Sequence, residues 1–229
     1  MRNSLHACCL LLLLGLSLQA SDFRWVKAPF QWNAGGTVCT QAIPLYGADF
    51  RIHYASRRKG AMKITLVDAS PAAKPKPSKV VVDTKNLLSP GWRDFSGYQM
   101  AYLIVEGDSR GWDISLDLYL DSLQEWKLKC HLEETAQATP SKQAFWAGEG
   151  SQQISFSPKA KPWKIVGKGD KPLPMKLTVR TQDQQLLFQR ITQADTGESW
   201  GWLHTAAPVN ITVECPQELA WTIQVLALP

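Results

Sequence analysis

The segment Trp112-Asp-Ile-Ser-Leu-Asp-Leu118 alternates apolar and polar residues at every step, and Trp221-Thr-Ile-Gln-Val225 repeats this pattern 109 residues later. Successive side chains of a β-strand point to opposite faces of its sheet, so a period of two predicts a strand with one buried side and one solvent-facing side. Both segments open on Trp and place Ile two residues further on. They therefore predict two equivalent strands, each near the end of one copy of a duplicated unit.

The duplication extends through most of the chain. Phe50-Arg-Ile and Met62-Lys-Ile-Thr-Leu66 correspond to Trp163-Lys-Ile and Met175-Lys-Leu-Thr-Val179 at a constant offset of 113 residues. A period of this size is too long for a solenoid repeat and suits one small domain. Short alternating segments separated by turn residues are typical of β-sandwiches. We therefore expect an all-β protein with two tandem antiparallel β-sandwich domains of the same fold, at residues 21–122 and 123–229.

The segment between the copies is also predicted to be a strand. Trp126-Lys-Leu-Lys-Cys-His-Leu132 alternates apolar and polar residues, and no window beyond the N-terminal segment shows a clear helical period of 3.6 residues.

The N-terminal segment has the outline of a secretory signal peptide. Arg2 supplies a positive charge, an apolar run covers Leu10–Leu18, and small residues follow at Ala20 and Ser21. The apolar run is too short to span a bilayer. We expect residues 1–20 to be removed, which leaves a secreted or periplasmic protein with no transmembrane segment.

Charge and cysteine content limit the partners and the chemistry. The net charge of +5 is spread along the chain, whereas a nucleic-acid site needs a dense basic patch, so we expect no nucleic-acid partner. Three cysteines lie beyond the predicted signal peptide: Cys39, Cys130 and Cys215. An exported protein can pair two of them, and the shared location of Cys130 and Cys215 in the second copy favours a disulfide between them. None has metal-ligand spacing.

Catalytic motifs are absent from the sequence. The three histidines beyond residue 20, His53, His131 and His204, have no histidine at the equivalent position of the other copy. There is no GxSxG elbow, phosphate loop or dinucleotide fingerprint. We therefore expect no enzyme activity, no catalytic residue, no cofactor and no metal. A histidine beside a nucleophile in a cleft would change that expectation.

Tryptophan is unusually frequent, with ten residues among 229. Trp112 and Trp221 share the apolar phase of their strands and are predicted core residues. By contrast, Trp92, Trp200 and Trp202 lie in segments rich in Gly, Ser, Asp and Thr. Aromatic rings on loops at the end of a sandwich bind sugars or peptides in many extracellular modules. These three tryptophans are the candidate ligand-binding residues, and the alternative is that their rings fold back over the end of the sandwich.

Each copy resembles the small β-sandwich modules of secreted bacterial proteins, such as pre-peptidase C-terminal-like domains. The resemblance lies in a hairpin near the end of each copy. It is formed by Tyr102-Leu-Ile-Val-Glu and Trp112-Asp-Ile-Ser-Leu116 in one copy, and by Asn210-Ile-Thr-Val-Glu and Trp221-Thr-Ile-Gln-Val225 in the other. The resemblance implies an accessory, binding or secretion-associated role.

These observations predict an exported, non-enzymatic binding or structural module of the cell envelope or extracellular space, with an unknown protein or glycan partner. One alternative is a carbohydrate-binding protein that uses the three loop tryptophans. Another is an accessory or inhibitor protein of a secreted enzyme, in which the Ala69–Lys79 loop, present in the first copy alone, contacts the partner. The Pro and Lys content of that loop predicts an extended, mobile excursion.

Overall fold

The computed structural model describes residues 22–71, 75–109, 111–192 and 198–227. The predicted signal peptide lies outside the described residues. The described residues form strands and one helix, in agreement with the all-β prediction. The strands are β1 (Arg24–Ala34), β2 (Thr37–Cys39), β3 (Ile43–Pro44), β4 (Asp49–Ser56), β5 (Gly60–Asp68), β6 (Lys79–Leu87), β7 (Gly91–Phe95), β8 (Met100–Gly107), β9 (Trp112–Leu120), β10 (Ser141–Glu149), β11 (Gln152–Phe156), β12 (Trp163–Gly169), β13 (Lys176–Thr181), β14 (Leu186–Ile191), β15 (Glu198–Leu203), β16 (Val209–Glu214) and β17 (Ala220–Ala227). The helix is α1 (Ser122–Gln137).

Strand pairing follows the same order before and after α1, in what we call the first and second halves. In the first half, β1-β9-β4-β7 form a four-stranded sheet, and β6, β5 and β8 pair in succession. In the second half, β10-β17-β12-β15 and β14-β13-β16-β11 pair in the corresponding orders. All of these pairs are antiparallel. The sequence repeat is therefore also a repeat of strand pairing.

Strand β2 joins the two halves. It pairs with β8 of the first half, and it also forms single bridges from Thr37 to Gln189 in β14 and from Cys39 to Trp202 in β15. These bridges merge the remaining strands into one thirteen-stranded sheet, separate from the four-stranded sheet of the first half.

A partly buried histidine of the second half packs against the first half. His204 Nε2 lies 2.7 Å from the carbonyl oxygen of Thr40, and its ring stacks on Tyr102 with 3.7 Å between the centroids. A carbonyl oxygen only accepts, so Nε2 carries the proton of this hydrogen bond. Burial lowers the pKa of His204. The neutral ring therefore forms part of the contact between the halves.

The core repeats in detail. The predicted core pairs are all buried: Phe50 and Trp163, Met62 and Met175, Trp112 and Trp221. The Trp112 indole Nε1 donates to the carbonyl oxygen of Gly36 at 3.1 Å, and the Trp221 indole donates to that of Gly150 at 2.8 Å. Both glycines have positive φ, 79° and 64°, which is unfavourable for residues with a Cβ. The two halves thus share a buried indole and the glycine turn that accepts its hydrogen bond.

The segment predicted as a strand between the copies is part of α1. The Asp121 carboxylate accepts a hydrogen bond from Gln124 N at 2.7 Å, and the Gln124 side chain accepts one from Asp121 N at 3.1 Å. This capping box starts the helix. Leu128 is buried, whereas Trp126 is 61% exposed, because residues two apart on a helix point in nearly opposite directions. Among the described residues, no helix has the length and apolarity needed to cross a lipid bilayer.

The predicted disulfide between Cys130 and Cys215 is not formed, and the three cysteines in the described part of the chain are free. Helix α1, which carries Cys130, has its C-terminal part beside Leu226, near the end of β17. Cys215 precedes the start of that strand. A strand of this length spans ~25 Å, whereas the Cα atoms of a disulfide lie ~4.4–6.8 Å apart. Cys39 is buried, which raises the pKa of its thiol to about 12.

The described part of the Ala69–Lys79 loop is attached to the first half, unlike the mobile excursion that its composition predicts. The Asp68 carboxylate accepts hydrogen bonds from the backbone N–H groups of Ser70 and Lys76 at 3.0 and 2.7 Å. The Lys76 ammonium group lies 4.8 Å from the ring centroid of Tyr98. These contacts hold residues on both sides of the undescribed positions 72–74. Binding of a protein partner by this loop stays a prediction.

Candidate functional site

The four-stranded sheet has one buried face and one exposed face, because its two central strands, β4 and β9, alternate between buried and more exposed residues. On β4, Phe50 and Ile52 are buried, and Arg51 and His53 point to the other side. We call the exposed side the outer face. The residues of the outer face are neighbours of one another across the strands. They include Gln31 and Asn33 of β1, Asp113, Ser115 and Asp117 of β9, Arg51 and His53 of β4, and Trp92 and Asp94 of β7.

Arg51 lies between two tryptophans at one side of the outer face. Its Cζ atom is 4.2 Å from the ring centroid of Trp92 and 4.9 Å from that of Trp25. Its Nε and one terminal nitrogen donate to the two carboxylate oxygens of Asp94 at 2.8 and 3.1 Å. These hydrogen bonds raise the pKa of Arg51 and lower the pKa of Asp94. A bidentate pair fixes the plane of the guanidinium group, and this plane in turn supports the Trp92 ring.

His53 lies near the middle of the outer face. Its Nε2 is 2.8 Å from Asp117 Oδ2, and its cross-strand neighbours are Trp92 on β7 and Ser115 on β9. Strands β4 and β9 are each paired on both sides, so the backbone beneath these residues is hydrogen-bonded on both flanks. The two central strands of the outer face are therefore held in place by neighbouring strands on both sides.

An open cleft of about 310 Å³ lies on the outer face. Its polar lining comprises Gln31, Asn33, His53, Asp113 and Ser115. Trp92, which is 54% exposed, contributes an aromatic ring to the same cleft. With its amide oriented to donate, Asn33 lies 2.6 Å from Asp113 Oδ1. The cleft thus combines aromatic surface with both donors and acceptors of hydrogen bonds.

The three candidate tryptophans lie on strands, whereas the sequence predicts that they lie on loops at the end of the sandwich. Trp92 is in β7, and Trp200 and Trp202 are in β15. Trp92 and Trp200 are equivalent, since each lies beside the cation at the equivalent position, Arg51 at 4.2 Å or Lys164 at 4.9 Å. Trp202 is buried, at 7% exposure. The structure does not bring the three together, because Trp92 is on the four-stranded sheet and the other two are on the larger one.

The polar residues of the outer face, in the cleft and beside it, are not among the candidates predicted from sequence. Period-two alternation marks Arg51, His53 and Asp117 only as solvent-facing positions of strands. A comparison of the copies at outward positions is the signal that identifies them. The His53 position holds Val166 and the Asp117 position holds Leu226 in the second copy, so both changes are from polar to apolar.

His53, Asp117 and Ser115 have the residue types of a hydrolytic triad. Among the described residues, however, no hydrogen bond joins the Ser115 hydroxyl group to His53, which is bonded to Asp117. Ser115 lies within β9, between β1 and β4. Without that hydrogen bond, the Ser115 hydroxyl group lacks the adjacent base that activates a serine nucleophile.

No family model and no curated protein sequence matches the chain. Solved structures give weak matches. The M60 catalytic domain with the CBM51-1 and CBM51-2 domains of Clostridium perfringens ZmpB is 9% identical with a TM-score of 0.28, and the match covers 91% of this chain and 39% of that one. The tandem CBM22-1 and CBM22-2 domains of Paenibacillus barcinonensis Xyn10C are 9% identical with a TM-score of 0.26, and 90% and 94% are covered.

The PBSX exported protein XepA is 8% identical with a TM-score of 0.27, and the match covers 89% of this chain and 86% of that one. The chain spans only 39% of the ZmpB structure that it matches. The similarity to pre-peptidase C-terminal-like domains is not confirmed. The first two of these structures contain tandem carbohydrate-binding modules, and this chain is only weakly similar to all three in structure.

Proposed function

We propose that the protein is an exported, non-enzymatic glycan-binding protein of two tandem antiparallel β-sandwich domains, and that its outer face binds the glycan. The observation that carries the proposal is the open cleft in which the half-exposed Trp92 ring lies beside five polar side chains. Sugar rings have apolar faces that stack on indole and hydroxyl groups that exchange hydrogen bonds. Export is inferred from the apolar run of residues 10–18.

The hydrogen-bonding groups of the cleft suit hydroxyl groups. The amides of Gln31 and Asn33 each donate and accept, the Ser115 hydroxyl does both, and the Asp113 carboxylate accepts. A sugar hydroxyl group also donates and accepts, so it can form hydrogen bonds with both the donors and the acceptors of this lining. A lining of one type would instead select a ligand of the opposite type.

The His53 and Asp113 side chains that line the cleft already have partners, and so does Arg51 beside Trp92, which favours a neutral ligand. Arg51 is bound to Asp94, and His53 lies against Asp117. A terminal nitrogen of Arg57 lies 3.3 Å from Asp113 Oδ1 and forms an ion pair with it. An ionic ligand would compete with these contacts, whereas an uncharged glycan leaves them in place. The cleft is open and near the lower end of the ~300–1,000 Å³ range of ligand sites, which suits a short stretch of a glycan chain.

The test is a glycan array followed by titration calorimetry with the best-bound oligosaccharide. Trp92→Ala should weaken binding at least about tenfold, which corresponds to ~1.4 kcal/mol. Trp126→Ala is the matched control, since this helix residue is similarly exposed and lies outside the cleft. Unchanged affinity in Trp92→Ala, or an array with no bound glycan, would overturn the proposal.

Hydrolysis is the second candidate function, because His53 is bonded to Asp117 and lies opposite Ser115 in the same cleft. We favour binding without reaction, because no hydrogen bond joins Ser115 to His53 among the described residues. Assays with nitrophenyl esters and nitrophenyl glycosides separate the two functions. Turnover by the wild type that Ser115→Ala abolishes would establish the hydrolase.

A further inference from the structure

A second cleft, of about 590 Å³, lies between the two halves, and we call it the inter-half cleft. Its apolar wall is formed by Phe30 and Met100 of the first half, Leu132 of α1, and Trp202 and Leu226 of the second half. Trp202 is one of the tryptophans expected to bind a ligand. A concave, mostly apolar site with a few polar groups is the usual form of a small-molecule site.

The charged groups that line the inter-half cleft, Lys161 and Lys164, are both basic, and His131 lies beside them. None of the described lining residues is acidic. The apolar wall therefore lies next to positive charge, which complements a ligand with an apolar body and an anionic head group. A neutral apolar ligand would leave that charge uncompensated.

Lys164 lacks a carboxylate partner close enough for an ion pair in the described part of the chain. Its ammonium nitrogen lies 4.9 Å from the ring centroid of Trp200 and 6.0 Å from that of Trp202. Glu198, the nearby acid, is paired with Lys168 at 3.7 Å. Partial burial lowers the pKa of Lys164, and the attraction of Glu198 opposes that shift. A half-buried ammonium group without an ion-pair partner is stabilised by an arriving anion.

The equivalent position in the first half shows which partner Lys164 lacks. Arg51, the equivalent of Lys164, is bound by the carboxylate of Asp94. The equivalent of Asp94 is Trp202, so the second half has an aromatic ring where the first half has the counter-ion. The second half thus keeps the cation, loses the acid and gains apolar surface beside a cleft.

We propose that the inter-half cleft binds a small organic anion with an apolar body, of the class of alkyl monocarboxylates. The carboxylate pairs with Lys164, with Lys161 and His131 nearby, and the alkyl body lies against Trp202 and Leu132. This site is separate from the outer face and does not depend on glycan binding.

Titration calorimetry with decanoate tests the proposal, with 1-decanol as the uncharged probe of equal chain length. The wild type should bind decanoate at least tenfold more tightly than 1-decanol. Lys164→Met removes the charge and keeps the apolar stem, so it should weaken decanoate binding at least tenfold and leave 1-decanol binding unchanged. Lys164→Arg should retain decanoate binding.

Lys127→Met is the matched control, because Lys127 is an exposed lysine of α1 and is not part of the cleft. It should bind decanoate like the wild type. A second variant, Leu132→Glu, places a carboxylate in the cleft and should abolish decanoate binding. No decanoate binding by the wild type, equal affinity for decanoate and 1-decanol, or wild-type affinity in Lys164→Met would each overturn the proposal.

Discussion

The outward side chains of β4 and β7 in the first half and those of β12 and β15 in the second occupy equivalent places but differ in character. In the first half, Arg51 is bound to Asp94 on an exposed polar face. In the second half, Lys164 faces Trp202 beside an apolar cleft. The inward residues of β4 and β12, such as Phe50 and Ile52 or Trp163 and Ile165, are apolar and buried in both halves. The difference teaches that duplication fixes the inward residues, which the core requires, and leaves the outward residues free to serve different ligands.

The greatest loss of stability should follow removal of the buried tryptophan that each half contains. Trp112→Ala and Trp221→Ala should each lower the free energy of unfolding by ~3–5 kcal/mol, because each removes a large buried side chain and its hydrogen bond to a glycine carbonyl group. Urea denaturation followed by circular dichroism measures both. Trp126→Ala, on the exposed side of α1, should change it by less than ~0.5 kcal/mol. A large loss in only one of the two core variants would show that the halves are not equivalent in stability.

Much of the framework could be predicted from sequence, because burial leaves a direct mark on it. A strand with one buried face must alternate, and the pairs Phe50/Trp163 and Trp112/Trp221 recur because both cores need large side chains there. Helix α1 was hidden by the chance alternation of residues 126–132, although Asp121 and Gln124 have the spacing of a capping box.

The binding surfaces could not be predicted in the same way. A solvent-facing residue of a strand and a binding residue of a strand both occupy the polar phase, so Arg51 and His53 carry no local signal of their role. Trp92 attracts attention as a tryptophan, yet its neighbours in the cleft come from β1, β4 and β9, which only the strand pairing brings alongside. The merging of the halves through β2 depends on a few bridges, which no periodicity reveals.

The second prediction separates the two glycine turns. Gly36→Ala and Gly150→Ala both place a Cβ at positive φ, which costs ~1–2 kcal/mol. At Gly36 the added Cβ would also lie 2.4 Å from the Gln189 carbonyl oxygen of the second half, whereas at Gly150 the nearest atom is 3.4 Å away. Gly36→Ala should therefore lower the thermal midpoint more than Gly150→Ala. Equal losses would argue against close packing of the halves at β2.

The third prediction concerns pH and the contact between the halves. Burial lowers the pKa of His204 in the folded protein below the ~6.5 of an unfolded chain, so the folded state binds fewer protons in this range. This contribution to stability is present above pH ~6.5 and is lost as the pH falls from there toward the lowered folded pKa. Thermal midpoints measured between pH 7.5 and 5 should fall less steeply in His204→Gln than in the wild type. His131→Gln is the control and should follow the wild type, and identical slopes in all three proteins would contradict the prediction.

The smallest effect on stability is expected at Asp94, where the second half has Trp202 instead of an acid. Asp94→Asn weakens an ion pair whose side chains are 29% and 49% exposed, and exposed pairs contribute ~0–1 kcal/mol. Urea denaturation should detect little change, whereas glycan affinity should fall because the Arg51 guanidinium group no longer supports the Trp92 ring in one orientation. Asp83→Asn, on β6 outside the cleft, should leave both quantities unchanged. A loss of stability as large as that of Trp112→Ala would mean that the outer face belongs to the framework after all. A change in glycan affinity alone would place Asp94 among the residues that only one half has acquired for binding.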